Sequence, residues 1–280
     1  MPGIKFSIEK TRPNLESLYN TFKNVKKGAD DILSNYNDNN FLKDPSVNVE
    51  SIAKSIGIKG IFRVKPIIVQ YDHSHLIKEF DIILLNKYDS KEEQCFSIAH
   101  EICHFKNIDT INIFNNENTL EDKVARSDFT SYYADTNENT PYIINYLSRV
   151  IIDFILNTIG INVSMEKAEM VIDKIYNKYS MKNIHETDKK NIEWVKIVYE
   201  ATNKLIKEEI ADYFAANLLI PTERFLLWKD KSEKKIARAF GVNIECIKKR
   251  REEVKYELDF LLPESFSSDI NIEKLTPVSA

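Results

Sequence analysis

Apolar residues recur along the chain with two different spacings, which separate helical from extended segments. Residues 14–36 carry apolar side chains near helical spacing and predict an amphipathic helix, and a shorter helix is predicted over residues 49–56, closed by Gly57. Runs of β-branched and aromatic residues then predict three strands of a small antiparallel sheet, over residues 60–65, 67–71 and 80–85.

The rest of the pattern is mainly helical. Ser90 and Glu93 have the spacing of a capping box, which opens a predicted helix that reaches about residue 105. Further helices are predicted over 141–158, 165–178, 189–219, 232–240 and 244–261, with a polar loop or weak helix over 109–140. We therefore expect an α+β fold, mainly helical, with the small antiparallel sheet packed on the helix that follows Ser90.

Composition excludes several classes of protein. The 280 residues are 43% hydrophobic and 29% charged, as in an ordinary globular protein and unlike a disordered chain. A net charge of −4 disfavours a surface built throughout for nucleic acid. The 3 cysteines show no C-x-x-C spacing and predict free thiols in a reducing compartment. We expect a cytoplasmic protein, since there is no apolar signal core and no stretch apolar enough for a membrane.

The most informative motif is H-E-x-x-H within the predicted helix after Ser90. His100 and His104 are four residues apart and so share a helix face, where both imidazoles can bind one ion. Zinc lowers the pKa of a bound water toward about 7, and Glu101 can take its proton as the water attacks a carbonyl. The motif predicts zinc-dependent hydrolysis, and the same donors also suit manganese or iron.

A catalytic zinc site usually has a third protein ligand, and the best candidate lies in the predicted helix 189–219. Glu208 and Asp212 are four residues apart and share a face, so Glu208 can bind the ion while Asp212 hydrogen-bonds the second nitrogen of a ligand histidine. Glu209 is the local alternative. Weaker candidates for metal ligands are Asp109, Glu121, Asp122, His73 and His75.

Three blocks of sequence carry a resemblance to a known family. The first is I-L-L-N at 83–86 with F-S-I-A-H-E-I-C-H at 96–104, and the second is E-x-x-A-D-x-F-A-A-x-L-L-I-P at 208–221. The third is I-A-R-A-F-G-V at 236–242, which continues to K-R-R at 249–251. With these blocks the sequence resembles the ImmA/IrrE family of metallopeptidase-like proteins.

The resemblance implies a gluzincin-like site in which His100, His104 and Glu208 hold one zinc ion per chain and Glu101 is the general base. It also implies cleavage of a cytoplasmic regulatory protein, such as a DNA-binding repressor or antitoxin, in mobile elements or stress responses. The alternative is a non-catalytic metal-binding regulator that captures a repressor or binds DNA. Candidates for the group that stabilises the oxyanion are Tyr132, Tyr133 and Tyr213.

The spacing of the blocks differs from the family pattern. Family members usually place the second block a few tens of residues after the first, whereas here Glu208 follows His104 by 104 positions. We expect a discontinuous metallopeptidase-like domain, 1–108 and 201–262, a helical insertion at 109–200 and a C-terminal tail at 263–280. Closing so long a loop costs little extra entropy, so the site can still assemble.

The segment 232–251 has the spacing of a helix-turn-helix. From 229 to 255 there are 10 Lys/Arg and 5 Asp/Glu, so the region is locally basic. Possible nucleic-acid contacts are Lys248, Lys249, Arg250 and Arg251. We favour the alternative that the two helices buttress the metal site and expose a solvated basic face.

Overall fold

The computed structural model describes residues 15–36, 45–68, 73–109, 144–145, 147–149, 151–153, 155, 163–178 and 187–257. The helices with defined bounds within these residues are α1 (Leu15–Tyr36), α2 (Val49–Ser55), α3 (Lys91–Phe105), α4 (Met165–Lys178), α5 (Thr187–Leu219), α6 (Thr222–Trp228), α7 (Glu233–Phe240) and α8 (Ile244–Tyr256). The strands are β1 (Gly60–Val64), β2 (Ser74–Ile77) and β3 (Ile82–Asn86). The predicted α+β class is confirmed.

The chain divides into two compact units. The first comprises Met1–Asn20 and Thr110–Glu209, and the second comprises Thr21–Asp109 and Ile210–Ala280. The division after Glu209 falls inside α5, which runs unbroken through it. The functional boundaries expected from the sequence, with an insertion at 109–200, stay a prediction.

The sheet lies in the second unit and is mixed, so the predicted all-antiparallel arrangement is wrong. Its strand order is β1-β3-β2, with β1 parallel and β2 antiparallel to β3. The most apolar strand, I-I-L-L-N, takes the centre, because a central strand has its backbone paired on both edges and its side chains covered best. After β1 the chain therefore crosses to the opposite edge of the sheet, where it forms β2, and then returns to the centre as β3.

The position of the second strand also differs from the prediction. Residues 66–68 form a turn where a strand was expected, and residues 69–72 lie outside the described part. β2 instead occupies Ser74–Ile77, between the second and third predicted strands, where no strand was expected. It is an edge strand with His75 exposed on one side and Leu76 buried on the other, so polar residues suit its outward positions.

The core of the second unit lies between the sheet and α3. Ile83 and Leu85 of β3 are fully buried, as are Ile98 and Ile102 of α3. α3 contacts β2 and β3 and packs against α2 as well, as expected for the helix with the H-E-x-x-H motif. This packing fixes α3 relative to the sheet and leaves the histidine face of the helix for the site.

The last part of α5 is built for close packing. Ala211, Ala215 and Ala216 are buried, and Phe214 between them is fully buried. The helix ends at Leu219 as predicted, before Pro221, but the short helix α6 that follows was not predicted. α7 then ends at Gly241, whose left-handed conformation (φ 68°) turns the chain into α8.

Candidate metal centre

The helix α3 begins with the capping box that the sequence predicts. The Glu93 amide donates to Ser90 Oγ, and the Ser90 amide donates to Glu93 Oε2 at 2.8 Å. The bond from the Ser90 amide is the first cause of a lowered pKa of Glu93. Since both groups are satisfied, the helix start is fixed and the register of the later turns with it.

His100 and His104 lie on one face of α3, one turn apart. Their ring centroids are 4.7 Å apart and their Nε2 atoms lie 3.0 Å from each other. Two ligands of a tetrahedral ion with bonds of about 2.0–2.1 Å are roughly 3.3 Å apart. The two Nε2 atoms are therefore close to the separation that a shared ion requires.

Glu208 of α5 supplies a third ligand atom to this cluster. The ligand atoms of His100, His104 and Glu208 all lie within 4.8 Å of one another, and among the residues described they are the one group of three placed so that it could hold a metal ion. Glu208 stands one helical turn before Asp212 in α5. Two imidazoles and one carboxylate are a donor set that suits zinc and leaves a position open.

Each histidine is held through its other nitrogen by a carboxylate. His100 Nδ1 lies 2.8 Å from Asp212 Oδ1, and His104 Nδ1 lies 2.9 Å from Asp109 Oδ2. A carboxylate in this position accepts a hydrogen bond from the Nδ1–H tautomer of its histidine, and that tautomer leaves Nε2 with a lone pair for an ion. The structure thus places Asp212 where the sequence predicted it, beside a ligand histidine.

Asp109 reaches His104 because of the way in which α3 ends. The Asn107 amide donates to the His104 carbonyl and the Ile108 amide to the Cys103 carbonyl, which is a Schellman motif with Asn107 in the left-handed conformation (φ 52°). The motif folds the chain back and brings Asp109 beside the ring of His104. Asp109, which the sequence suggested as a weaker candidate for a metal ligand, thus lies against Nδ1 of His104 and outside the group of His100, His104 and Glu208. Its signal in the sequence is an Asn shortly after the helix, and the role beside His104 was not predicted from it.

Glu101 is buried beside the two histidines, with 6% of its surface exposed. Its carboxylate Oε1 accepts a hydrogen bond of 2.6 Å from Ser74 Oγ on β2. Sequence reasoning did not single out Ser74, since a serine in a polar stretch carries no signal of its own.

The alternative ligands have other positions in the structure. Glu209 Oε1 accepts from Lys167 Nζ at 2.9 Å, which leaves Glu208 as the glutamate that faces the histidines. His73 pairs with Asp89 at 2.8 Å, and both His73 and His75 are exposed. Glu121 and Asp122 lie outside the described residues, as do Tyr132 and Tyr133.

Tyr213 is not placed to stabilise an oxyanion at this centre. Its hydroxyl is buried and donates to Glu257 Oε1 at 2.8 Å. Burial, followed by the charge of Glu257, raises the pKa of Tyr213, so the phenol stays protonated.

Arg250 cannot be a nucleic-acid contact, which corrects one of the four residues expected on the basic face. Its side chain is fully buried and forms an ion pair with Glu257, which is also fully buried. It also donates to the Ile220 carbonyl, Asn217 Oδ1 and Thr222 Oγ1. Burial acts to raise the pKa of Glu257, but the charge and hydrogen bonds of Arg250 hold it below its usual value. Arg250 therefore joins α8 to the end of α5.

The other three cations of that group are exposed. Lys249 and Arg251 lie on the surface of α8, and Lys248 pairs with Glu245 at 2.7 Å. Their role toward nucleic acid stays a prediction.

Together these features describe two histidines of α3 and a carboxylate of α5 whose ligand atoms lie close enough to hold one metal ion. Residues 63–134 match the family model Peptidase_M78, described as the IrrE N-terminal-like domain. This confirms the resemblance to the ImmA/IrrE family of metallopeptidase-like proteins over a segment that holds the H-E-x-x-H motif and Asp109 but ends before Glu208. The chain has no match among curated proteins and none among solved structures.

Within the described residues, no helix combines the length and the apolar character needed to cross a membrane.

Proposed function

We propose that this protein is a zinc-dependent metallopeptidase of the ImmA/IrrE type, which cleaves a cytoplasmic regulatory protein such as a DNA-binding repressor or antitoxin. The observation that carries the proposal is the convergence of the ligand atoms of His100, His104 and Glu208 within 4.8 Å, with the buried Glu101 on the same helix as the two histidines. We expect one zinc ion per chain, although manganese or iron would suit the same donors.

The residues around the site have separate roles in the proposed reaction. His100 and His104 present Nε2 because Asp212 and Asp109 hold their Nδ1 atoms. Zinc, when bound, acts as a Lewis acid that polarises a carbonyl and makes water more acidic. Glu101 takes a proton from the attacking water on its carboxylate and returns it to the leaving amine nitrogen.

The choice of substrate rests on the family resemblance. Roles in cleaving or antagonising DNA-binding repressors are what that resemblance implies, and a repressor or antitoxin is a protein whose removal changes transcription. The family match supports a relationship to peptidases, and the cluster of ligands supports a metal centre. The substrate itself is our proposal.

The variant Glu101→Gln tests the proposal. It removes the base but keeps the size of the side chain, and it leaves His100, His104 and Glu208 in place. We expect zinc to be retained while cleavage of a repressor or antitoxin, followed by mass spectrometry of new termini, falls by about a hundredfold or more.

The same variant separates the two functions. If Glu101→Gln binds zinc and still relieves repression as the parent does, the peptidase proposal is wrong. The alternative, a non-catalytic regulator that captures a repressor or binds DNA through residues 232–251, would then hold. Lys249→Glu and Arg251→Glu would be the variants to follow for DNA, because Arg250 is buried.

A further inference from the structure

The side chain of Glu101 has one hydrogen-bond partner in the part of the chain that the structure describes, and it is Ser74. The donor and acceptor are 2.6 Å apart, at the short end for a hydroxyl bonded to a carboxylate. The bond joins two elements, because Ser74 lies on the edge strand β2 and Glu101 on α3. It is therefore a tertiary contact between two residues that are 27 positions apart in the chain.

The strand directs Ser74 toward the helix. Side chains alternate along β2, so Ser74 and Leu76 share the face that covers α3, while His75 between them is exposed. On this face the neighbouring side chains are apolar and buried, namely Leu76, Ile83 and Leu85. Ser74 is the polar residue on this face, half-buried at the first position of the strand, where its hydroxyl meets Glu101.

We propose that Ser74 is a positioning residue for Glu101. Its hydroxyl holds Oε1 of the carboxylate, so the carboxylate keeps one orientation and Oε2 is the oxygen that remains for the proton of the attacking water. A base acts only within hydrogen-bond reach of its proton and at a suitable angle. Without this hydrogen bond the Glu101 carboxylate would be free to rotate about its terminal torsion, and neither oxygen would be held toward the attacking water.

This inference rests on the proposed function, and its test uses readouts that separate the two. The proteins are the zinc-loaded parent, Ser74→Ala, Ser74→Thr and Ser97→Ala. Threonine keeps the hydroxyl and suits a strand. Ser97→Ala is the control, because it removes a buried serine hydroxyl from α3 itself, one turn before Glu101.

Acetohydroxamate is the probe, since it binds zinc and offers the base a hydroxyl proton. We expect Ser74→Ala to bind it about tenfold more weakly than the parent, which is the effect of losing a hydrogen bond to a charged group. Ser74→Thr and Ser97→Ala should stay within about twofold of the parent. Zinc affinity, measured by competition with a chelator, should be the same in all four proteins because Ser74 contacts no ligand.

Crystal structures of the zinc-loaded parent and Ser74→Ala give a second, independent readout. We expect one orientation of the Glu101 carboxylate in the parent and a rotated or split carboxylate in the variant. Unchanged orientation in Ser74→Ala, or equal loss of acetohydroxamate affinity in Ser74→Ala and Ser97→Ala, would overturn the role of Ser74 and leave the peptidase proposal intact. A parent that takes up no zinc would instead overturn the proposed function.

Discussion

His104 Nδ1 lies 2.9 Å from the carboxylate of Asp109, five residues later in the chain. Asp109 does for His104 what Asp212 does for His100, although one carboxylate is local and the other comes from α5. Each pair fixes the tautomer and the orientation of a ring. Both histidines are therefore oriented for metal binding, each by a carboxylate from a different part of the chain.

Removal of either carboxylate should weaken metal binding. We expect Asp109→Ala and Asp212→Ala each to lower zinc affinity by about ten- to a hundredfold, because the ring loses its orienting partner and part of its basicity. Chelator competition measures this. Asp31→Ala, at an exposed position of α1, is the control and should match the parent. Unchanged zinc affinity in both variants would mean that the carboxylates do not support the ligands.

The left-handed conformation of Asn107, in the turn after α3, leads to a separate prediction. Its φ of 52° costs an ordinary residue about 1–2 kcal/mol, whereas glycine adopts it freely. We expect Asn107→Ala to lower the free energy of unfolding by about 1 kcal/mol and to weaken zinc binding through Asp109. Asn107→Gly should bind zinc as the parent does. Urea unfolding and zinc titration check both effects, and equal behaviour of the two variants would speak against the role given to this turn.

The sequence predicted those parts of the protein in which chemistry and periodicity are local. Ser90, His100 and His104 belong to one helix, and the spacing of Glu208 and Asp212 needs only the helical repeat of α5. The nearness of α5 to α3 came from the family resemblance, since helical periodicity says nothing about a pairing across 104 residues.

The sheet shows what could not be predicted. The apolar runs gave two of the strands, but they did not show that β3 takes the centre of the sheet and pairs in parallel with β1. Ser74 lies on an edge strand whose polar residues resemble a loop. Arg250 was read as part of a solvated basic run, and only the packing of α8 against α5 shows that it is buried.

The burial of Arg250 predicts a large loss of stability on its removal. Arg250→Met removes the ion-pair partner of the fully buried Glu257 and leaves its charge uncompensated, which typically costs about 3–5 kcal/mol. Arg251→Met, at an exposed neighbouring position, should change the free energy of unfolding by less than about 0.5 kcal/mol. Denaturant unfolding of both variants provides the comparison, and equal stability would show that the buried pair contributes little.

Glu253 predicts a dependence of stability on pH. Burial raises its pKa to about 7 from an ordinary value of 4.5, although Arg250 acts in the opposite direction. The folded state therefore binds this proton more tightly than the unfolded state does. The resulting stabilisation is complete below about pH 4.5 and is lost as the pH rises through about 7.

The variant Glu253→Gln cannot ionise and should not show this loss. We expect its stability relative to the parent to increase between pH 5 and pH 8 by at most about 3 kcal/mol. Urea unfolding at the two pH values measures the difference, with Glu252→Gln at an exposed position as the control. A relative stability of Glu253→Gln that does not change with pH would contradict the raised pKa.

The most direct test of the metal centre is the zinc content of the purified protein, measured by elemental analysis together with Glu208→Ala and Glu209→Ala. The two variants remove neighbouring carboxylates, one beside the histidines and one paired with Lys167. We predict about one zinc per chain in the parent and in Glu209→Ala, and clear loss in Glu208→Ala. A parent without zinc after loading, or equal zinc in all three proteins, would contradict a centre formed by His100, His104 and Glu208.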